Sequence, residues 1–181
     1  MTTRRRFLTA GGLALAGVAV RRVVAAAPLV EIHMRATERG EEVWFDPIGV
    51  HVERGATVRW IVQHDVHTTT AYHPRHDRHS LRIPDAAAPW DSGFLTQPGA
   101  HFDVTLTVEG VYDYYCQPHE AAGMVGRIVV GRPSGPGALP FDYFVGRPGT
   151  ADWKPVPAAA RLVFPSVEAI MRQTVVRRRP P

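Results

Sequence analysis

The sequence has only one cysteine, Cys116, among 181 residues. A single thiol excludes an intrachain disulfide. It also excludes zinc sites built from several cysteines and binuclear copper centres, which need two bridging thiolates. With 45% apolar residues, the chain is long enough for one well-buried domain and too short for two ordinary ones. A hydrophobic core therefore has to supply the stability that disulfides give to many small exported proteins.

The beginning of the chain lacks a hydrophobic run of ordinary membrane-spanning length. The uncharged run Phe7–Val20 has 14 residues, which is short for a transmembrane helix and fits the apolar part of a signal peptide. The preceding residues, Thr3–Leu8, contain three consecutive arginines and resemble the twin-arginine export motif. We expect residues 1–27 to be a twin-arginine signal, with an uncleaved membrane tether as the alternative. Both interpretations place the remaining chain in the periplasm or at the outer face of the cytoplasmic membrane.

Positive charge is scarce in the middle of the chain. The net charge is +4, but residues 1–27 hold five arginines and no acid. Residues 28–131 hold 8 basic and 14 acidic residues, a net −6, and residues 132–181 hold 8 and 3, a net +5. Nucleic-acid binding needs positive charge clustered on a folded face. We therefore expect no nucleic-acid partner.

Helical periodicity is absent between residues 29 and 130, where short strand patterns are separated by glycine and proline. In the first of them Val30, Ile32 and Met34 alternate with polar residues. The predicted strands are 30–34, 43–45, 50–52, 56–63, 102–108, 111–115 and 126–131, with a long loop at 73–93. This spacing predicts an all-β fold, a Greek-key antiparallel β-sandwich over residues 28–131. Tyr112 occupies the position of a tyrosine corner in such a sandwich.

The composition changes after residue 131. Residues 132–137 and 146–149 are rich in proline and glycine, as in linkers. One short helix is predicted near 166–174, because Ser166 is a good N-cap and Val167, Ile170 and Met171 share a face. We expect residues 132–181 to form a C-terminal extension. It is either a strap packed on the sandwich or a segment that binds a partner.

Three soft metal ligands lie close together after the predicted strand 111–115: Cys116, His119 and Met124. Blue-copper electron-transfer sites combine two histidines and one cysteine with a weak axial methionine. Alternatively, Cys116 is an inert buried thiol and Met124 fills the core. An unpaired thiol in an exported protein is exposed to oxidation, and metal ligation protects it. The three residues together therefore favour a metal site whose remaining ligand, a second histidine, lies elsewhere in the chain.

The chain has nine histidines, and five of them lie between residues 64 and 79: His64, His67, His73, His76 and His79. His67 is the best candidate because it directly follows a predicted core strand. The sheet then fixes its backbone while the side chain faces the end of the sandwich. His64 and His73 are the alternatives. The clustered imidazoles also raise the hypothesis of a second, weaker metal site in this loop.

The spacing Cys116-x2-His119-x4-Met124, with the strands on either side, resembles the plastocyanin/pseudoazurin/halocyanin group of cupredoxins. The resemblance covers about residues 28–131. It implies one type 1 copper bound by His67, Cys116, His119 and Met124, in a carrier of single electrons. These cupredoxins usually have asparagine after the first histidine, where it ties the two ligand loops together. This chain has Thr68, whose hydroxyl lacks the paired hydrogen bonds of an amide.

The resemblance further implies how the protein meets its partners. We expect a redox protein, such as a cytochrome or copper protein, to dock near His119 on small apolar residues: Ala121, Ala122, Gly123 and Val125. The acidic central region would steer a basic partner. We expect a monomer that is not an enzyme, because copper enzymes of this kind need a second domain and further ligands. The alternative function is copper storage or delivery, which favours exchangeable sites without a rigid thiolate.

Overall fold

A computed structural model describes residues 28–178. The expected twin-arginine signal, residues 1–27, lies outside the described residues, as do the last three residues of the basic C-terminus. Within 28–178, no helix is long and apolar enough to cross a membrane.

Two β-sheets face each other and form a sandwich. The first sheet has the strand order β2-β1-β4-β6, and the second has the order β5-β7-β8-β3-β9. The strands are β1 (Leu29–Ala36), β2 (Val43–Asp46), β3 (Gly49–Val52), β4 (Thr57–Val62), β5 (Thr70–Ala71), β6 (His101–Thr105), β7 (Gly110–Tyr115), β8 (Val125–Val130) and β9 (Val175–Val176). The predicted sandwich is confirmed.

The sheets are mixed and not purely antiparallel. β1 runs parallel to β4, and β3 runs parallel to β8, while the other neighbours are antiparallel. The turn at Asp46–Gly49 carries the chain from β2 in the first sheet to β3 in the second. Each parallel pair joins two strands between which the chain has crossed to the other sheet and back.

The core lies between the two sheets. Alternation along β4 buries Val58, Trp60 and Val62, and the Trp60 ring meets that of Tyr114 edge-on at 5.2 Å. Each fully buried large apolar side chain contributes roughly 1.5–3 kcal/mol to stability. The predicted tyrosine corner is also present, since the Tyr112 hydroxyl donates to the Val108 carbonyl at 2.6 Å.

Residues 132–178 pack against the second sheet. β9 adds a fifth strand beside β3, and two short helices precede it, α1 (Ala158–Val163) and α2 (Val167–Gln173). α2 is the predicted helix, and the Ser166 hydroxyl caps it by accepting from the Ala169 amide at 3.0 Å. α1 was not predicted, because it has no side-chain cap and covers only six residues. It is helical because it packs against the sandwich.

Buried charge fastens this extension to the second sheet. Asp113, on β7, accepts from Arg82 Nε at 3.0 Å and from Arg127 Nε at 2.7 Å, and all three side chains are buried. Arg127 Nη2 also donates to Asp113, at 2.9 Å. The other Nη atoms of the two arginines donate to main-chain carbonyls of the extension: Gly137, Leu139, Pro140 and Pro165. The extension therefore satisfies cations that the sandwich alone would leave with unpaired donors.

Replacing Asp113 by alanine should lower the free energy of unfolding by roughly 3–5 kcal/mol, because two buried guanidinium groups lose their counter-charge. The matched control is Asp103→Ala, which breaks another Asp–Arg pair between neighbouring strands, with Arg59, at the solvent-exposed face. Exposed pairs contribute little. Chemical denaturation of both variants measures the difference, and equal losses would contradict a special role for the buried cluster.

Candidate metal centre

Three predicted ligands meet at one end of the sandwich. One ligand atom each from His67, Cys116 and His119 lies within 4.8 Å of the others. Cys116 Sγ is 3.7 Å from Nδ1 of His67 and 3.4 Å from Nδ1 of His119. His67 and Cys116 are fully buried, whereas the His119 side chain is 23% exposed. The structure thus places a thiol between two imidazoles, with both Nδ1 atoms directed at the sulfur.

Main-chain hydrogen bonds set the shape of the loop that carries Cys116, His119 and Met124. A 3₁₀ helix spans Gln117–Ala122, and the His119 amide donates to the Cys116 carbonyl at 3.0 Å. The Cys116 amide donates to the Met124 carbonyl at 3.0 Å, and the Met124 amide donates to the His119 carbonyl at 3.1 Å. Gly123 makes the return possible with φ of 83°, a left-handed conformation that favours glycine. The backbone of Met124 is thereby held beside Cys116 and His119, and its side chain is fully buried.

His67 comes from a different part of the chain. It exchanges two main-chain hydrogen bonds with Leu95, at 3.1 and 2.9 Å. Its backbone is therefore fixed by an isolated bridge to the loop before β6, and not directly by the end of β4 at Val62 as expected. The alternatives His64 and His73 do not belong to this cluster.

The hypothesis of a second metal site in the 64–79 loop gains no support. Across residues 28–178 no second group of three or more histidine, cysteine or acidic residues converges in this way. His76 Nδ1 bonds to the Ala71 carbonyl at 2.8 Å, and His79 bonds to the His76 carbonyl and to Glu120. These bonds direct the two imidazoles to neighbouring protein groups.

Burial controls the protonation of the cluster. It raises the pKa of the Cys116 thiol to about 11, although the Thr68 amide and hydroxyl act in the opposite direction. Burial and the neighbouring His119 lower the pKa of His67. In the metal-free protein the sulfur is therefore a thiol at neutral pH and the His67 ring is neutral. A neutral imidazole is ready to bind a metal, whereas the thiol first has to lose its proton.

A polar network around Glu120 also holds the ligand loop in place. Tyr72 donates its hydroxyl proton to Glu120 at 2.6 Å, and His79 Nε2 contacts the other oxygen of Glu120 at 3.1 Å. Burial by itself lowers the pKa of His79, but its bonds to Glu120 and to the His76 carbonyl outweigh burial and raise it. No sequence pattern indicates this network, since its members are spread over 48 positions and none belongs to a recognisable motif.

Val125 and Gly123, which were expected on the docking surface, are buried, so that expectation was wrong for both. Helix α1 covers them. A Cβ added to Gly123 would lie 2.8 Å from a methyl carbon of Val163, and Val125 belongs to a buried cluster with Tyr115 and Val156. Ala121 and Ala122 remain exposed beside His119. The accessible part of the loop is therefore smaller than the sequence predicts.

Comparison with known proteins agrees with this geometry. Residues 32–131 match the family model of copper binding proteins, plastocyanin/azurin family. The chain belongs to this family. Copper is accordingly the metal of the site. The donor set fits it, because a cysteine sulfur and two imidazoles suit copper. The buried Met124 offers a thioether, a further soft ligand.

Individual relatives match shorter segments. The chain is 60% identical over 37 residues to a chloroplastic plastocyanin of Hordeum vulgare, covering 20% of this chain and 24% of that protein. It is 48% identical over 40 residues to a plastocyanin of Sambucus nigra, covering 22% and 40%. The match therefore spans less than half the length of these relatives. Among solved structures, pseudoazurin from Methylobacterium extorquens is 26% identical, with a TM-score of 0.46 over 59% of this chain and 78% of that chain.

Metal affinity should increase with pH, because the thiol is protonated in the metal-free protein and ionised in the complex. Between roughly pH 7 and pH 10, below the thiol pKa of about 11, we expect the apparent affinity to rise about tenfold per pH unit, with about one proton released per metal ion. Titration with cobalt(II) in weakly buffered solution measures both quantities without redox chemistry. The Cys116→Ser variant should lose the proton release. An affinity independent of pH in the native protein would contradict the assignment.

Proposed function

We propose that the protein carries single electrons and that His67, Cys116, His119 and Met124 bind its one type 1 copper. The observation that carries this proposal is the buried Cys116 sulfur, set between two Nδ1 atoms at 3.7 and 3.4 Å on a loop closed by main-chain hydrogen bonds. Bound copper would supply the Cu(I)/Cu(II) couple. The protein residues hold the ligand atoms in place, so that little has to move when the charge changes.

The difference in exposure between the two histidines supports an exit for the electron at His119. The His67 side chain is buried, while His119 reaches the surface between Ala121, Ala122 and the exposed Pro118. Small residues allow a partner to approach the ring closely. We propose that a redox protein docks here, in a transient contact of the small size typical of electron-transfer complexes.

Storage or delivery of copper is the second candidate. The exposed edge of His119 favours storage or delivery, because copper could be exchanged at that edge. The buried thiol and the closed loop favour the electron carrier, since exchange requires ligands that move freely. We further propose that the protein is exported, that it acts as a monomer and that it has no enzymatic activity of its own.

The copper-loaded protein should be intensely blue or green, because a thiolate bound to Cu(II) gives a strong charge-transfer band. Cys116→Ser should abolish the band. Met124→Leu should keep it and shift the reduction potential, since the axial ligand tunes the potential and does not form the band. Visible and EPR spectra test both variants. A pale native protein that binds copper would favour storage over electron transfer.

The attraction of a redox partner by charge near His119 should be measurable in electron-transfer rate constants. Residues 28–178 hold 15 basic and 17 acidic residues, so their overall field is weak. Asp65, however, lies 4.0 Å from His119 Nε2. The rate constant of electron transfer with a basic redox protein should fall as ionic strength rises, whereas that with the anionic oxidant ferricyanide should rise. Stopped-flow measurements over a salt series check this, and equal salt dependence for both reagents would refute it.

A further inference from the structure

His79 is a buried histidine whose two ring nitrogens each lie close to an oxygen that carries no proton. Nδ1 is 2.8 Å from the His76 carbonyl oxygen, and Nε2 is 3.1 Å from Oε2 of Glu120. The other carboxylate oxygen of Glu120, Oε1, accepts the hydroxyl proton of Tyr72 at 2.6 Å. The side chains of His79 and Glu120 are 8% and 14% exposed, and Tyr72 is fully buried. These groups therefore depend on one another for their hydrogen bonds.

The two short contacts of His79 require a proton on each ring nitrogen. Carbonyl and carboxylate oxygens only accept, so the nitrogen beside each of them has to donate. A neutral imidazole has a single N–H, and its other nitrogen would turn a lone pair toward the lone pairs of an oxygen. The Tyr115 hydroxyl is farther from Nδ1, at 3.4 Å, and does not replace the carbonyl. The arrangement thus holds one proton more than a neutral imidazole and a carboxylate, and this extra proton lies between His79 and Glu120.

The extra proton is held next to the ligand loop. Glu120 directly follows His119, and Tyr115, whose ring stacks on that of His79 at 4.6 Å, directly precedes Cys116. None of the hydrogen bonds or ring contacts of His79 reaches a predicted ligand itself. Loss of the extra proton leaves an uncompensated negative charge on Glu120. A negative charge beside the metal centre favours its more positive, oxidised state.

An open cleft of about 400 Å³ gives solvent access to this proton, since both His79 and Glu120 line it. The proton can therefore exchange while the core stays closed. Burial by itself lowers the pKa of His79, but the hydrogen bonds to Glu120 and to the His76 carbonyl raise it above the ordinary value of 6.5. The proton is thus bound at pH 6.5 and is lost as the pH rises through the higher pKa of the folded protein.

The other charged or titratable groups around His79 do not take over this role. Tyr72 and Tyr115 keep their hydroxyl protons at neutral pH, because burial raises the pKa of both. Asp77 also favours the charged ring, but it forms an ion pair with Lys154 on the exposed side of the loop. The remaining such side chains that line the cleft are Arg75, His76 and Asp91. Among the described residues, Glu120 is therefore the carboxylate that the His79 ring contacts.

We propose that His79 and Glu120 form a proton-binding site beside the ligand loop, and that reduction of the metal centre is coupled to proton uptake at this site. When a redox partner donates one electron to the centre, a proton from solvent binds at Nε2 of His79 and compensates the charge. The coupling is reciprocal, because a proton that favours the reduced state is itself bound more tightly in that state, by the same factor. The inference rests on the proposed electron transfer and adds a proton to it, over the pH range in which His79 titrates.

The test follows the reduction potential of the copper-loaded protein as a function of pH. At a fixed solution potential, the ratio of reduced to oxidised protein should fall about fivefold in total as the pH rises from 6.5 through the titration of His79. Fivefold is the low end of the usual coupling between two sites, as expected where solvent in a cleft weakens the interaction of charges. A ratio that stays constant over this range would overturn the proposal.

Two variants remove the proton site and should remove the pH dependence. Glu120→Gln keeps both hydrogen bonds, because the amide oxygen accepts from Tyr72 while the amide nitrogen donates to a neutral His79. His79→Gln removes the titrating group itself. The matched control is His76→Gln, which removes another imidazole of the same cleft and should keep the fivefold change. A pH dependence that survives in the first two variants, or that disappears in the control, would assign the effect to another group and refute the proposal.

An NMR titration of the metal-free protein keeps the proton site separate from the proposed function. The His79 ring, identified by the loss of its signals in His79→Gln, should titrate with a midpoint above pH 6.5 in the native protein. In Glu120→Gln the midpoint should fall below pH 6.5, because burial remains and the carboxylate is gone. A native midpoint below this value, or an unchanged midpoint in the variant, would contradict the proton site.

The two measurements together distinguish the ways in which the inference can fail. If the NMR results agree but the copper-loaded protein shows no thiolate charge-transfer band, the proposed function and the coupling both fail, and the proton site stands. If the band is present and the potential does not change with pH, the coupling alone is refuted.

Discussion

The structure of the site depends on the hydrogen bonds that join Thr68 to the segment Cys116–Gln117, across 48 and 49 positions of sequence. Without them, the segment that carries His67 would be joined to the strand before Cys116 chiefly by the β5–β7 pairing that begins at Thr70. With them, the sulfur and its neighbouring amide are both attached to the residue after His67. A metal centre that changes charge without changing shape needs such a connection, because ligand movement adds to the cost of electron transfer.

Contacts that make the site rigid continue into the second sheet. Tyr115, next to Cys116, packs against Tyr72 at 4.5 Å and His79 at 4.6 Å, and the extension covers this group with Val156 and Ala160. Further along β7, Asp113 holds two buried arginines whose other donors reach the extension. The extension therefore stabilises the sheet behind the ligand loop. It also narrows the surface around His119, because α1 covers Gly123 and Val125.

Sequence reasoning succeeded where the information is local. The spacing from Cys116 to Met124 lies within one loop, and the strand before His67 shows its period directly. Ser166, an N-cap residue, likewise indicated the start of α2 from local sequence alone. The failures concern contacts between distant segments. The parallel pairs, the burial of Val125 and the helix α1 all follow from packing of residues far apart in sequence, and no local pattern records it.

The sequence by itself determined the β-sandwich and the loop that holds Cys116, His119 and Met124, and it indicated His67 as their neighbour, because alternation, glycine turns and residue spacing each act over a few residues. Only the tertiary structure decided which groups surround the sulfur. Thr70, Asp91 and Gln117 are ordinary polar residues in sequence, separated by up to 47 positions. They form one hydrogen-bonded network with Thr68 only when folding brings them together. Hydrogen-bond direction in a buried network is a property of the whole set of donors and acceptors, and that set exists only in the folded protein.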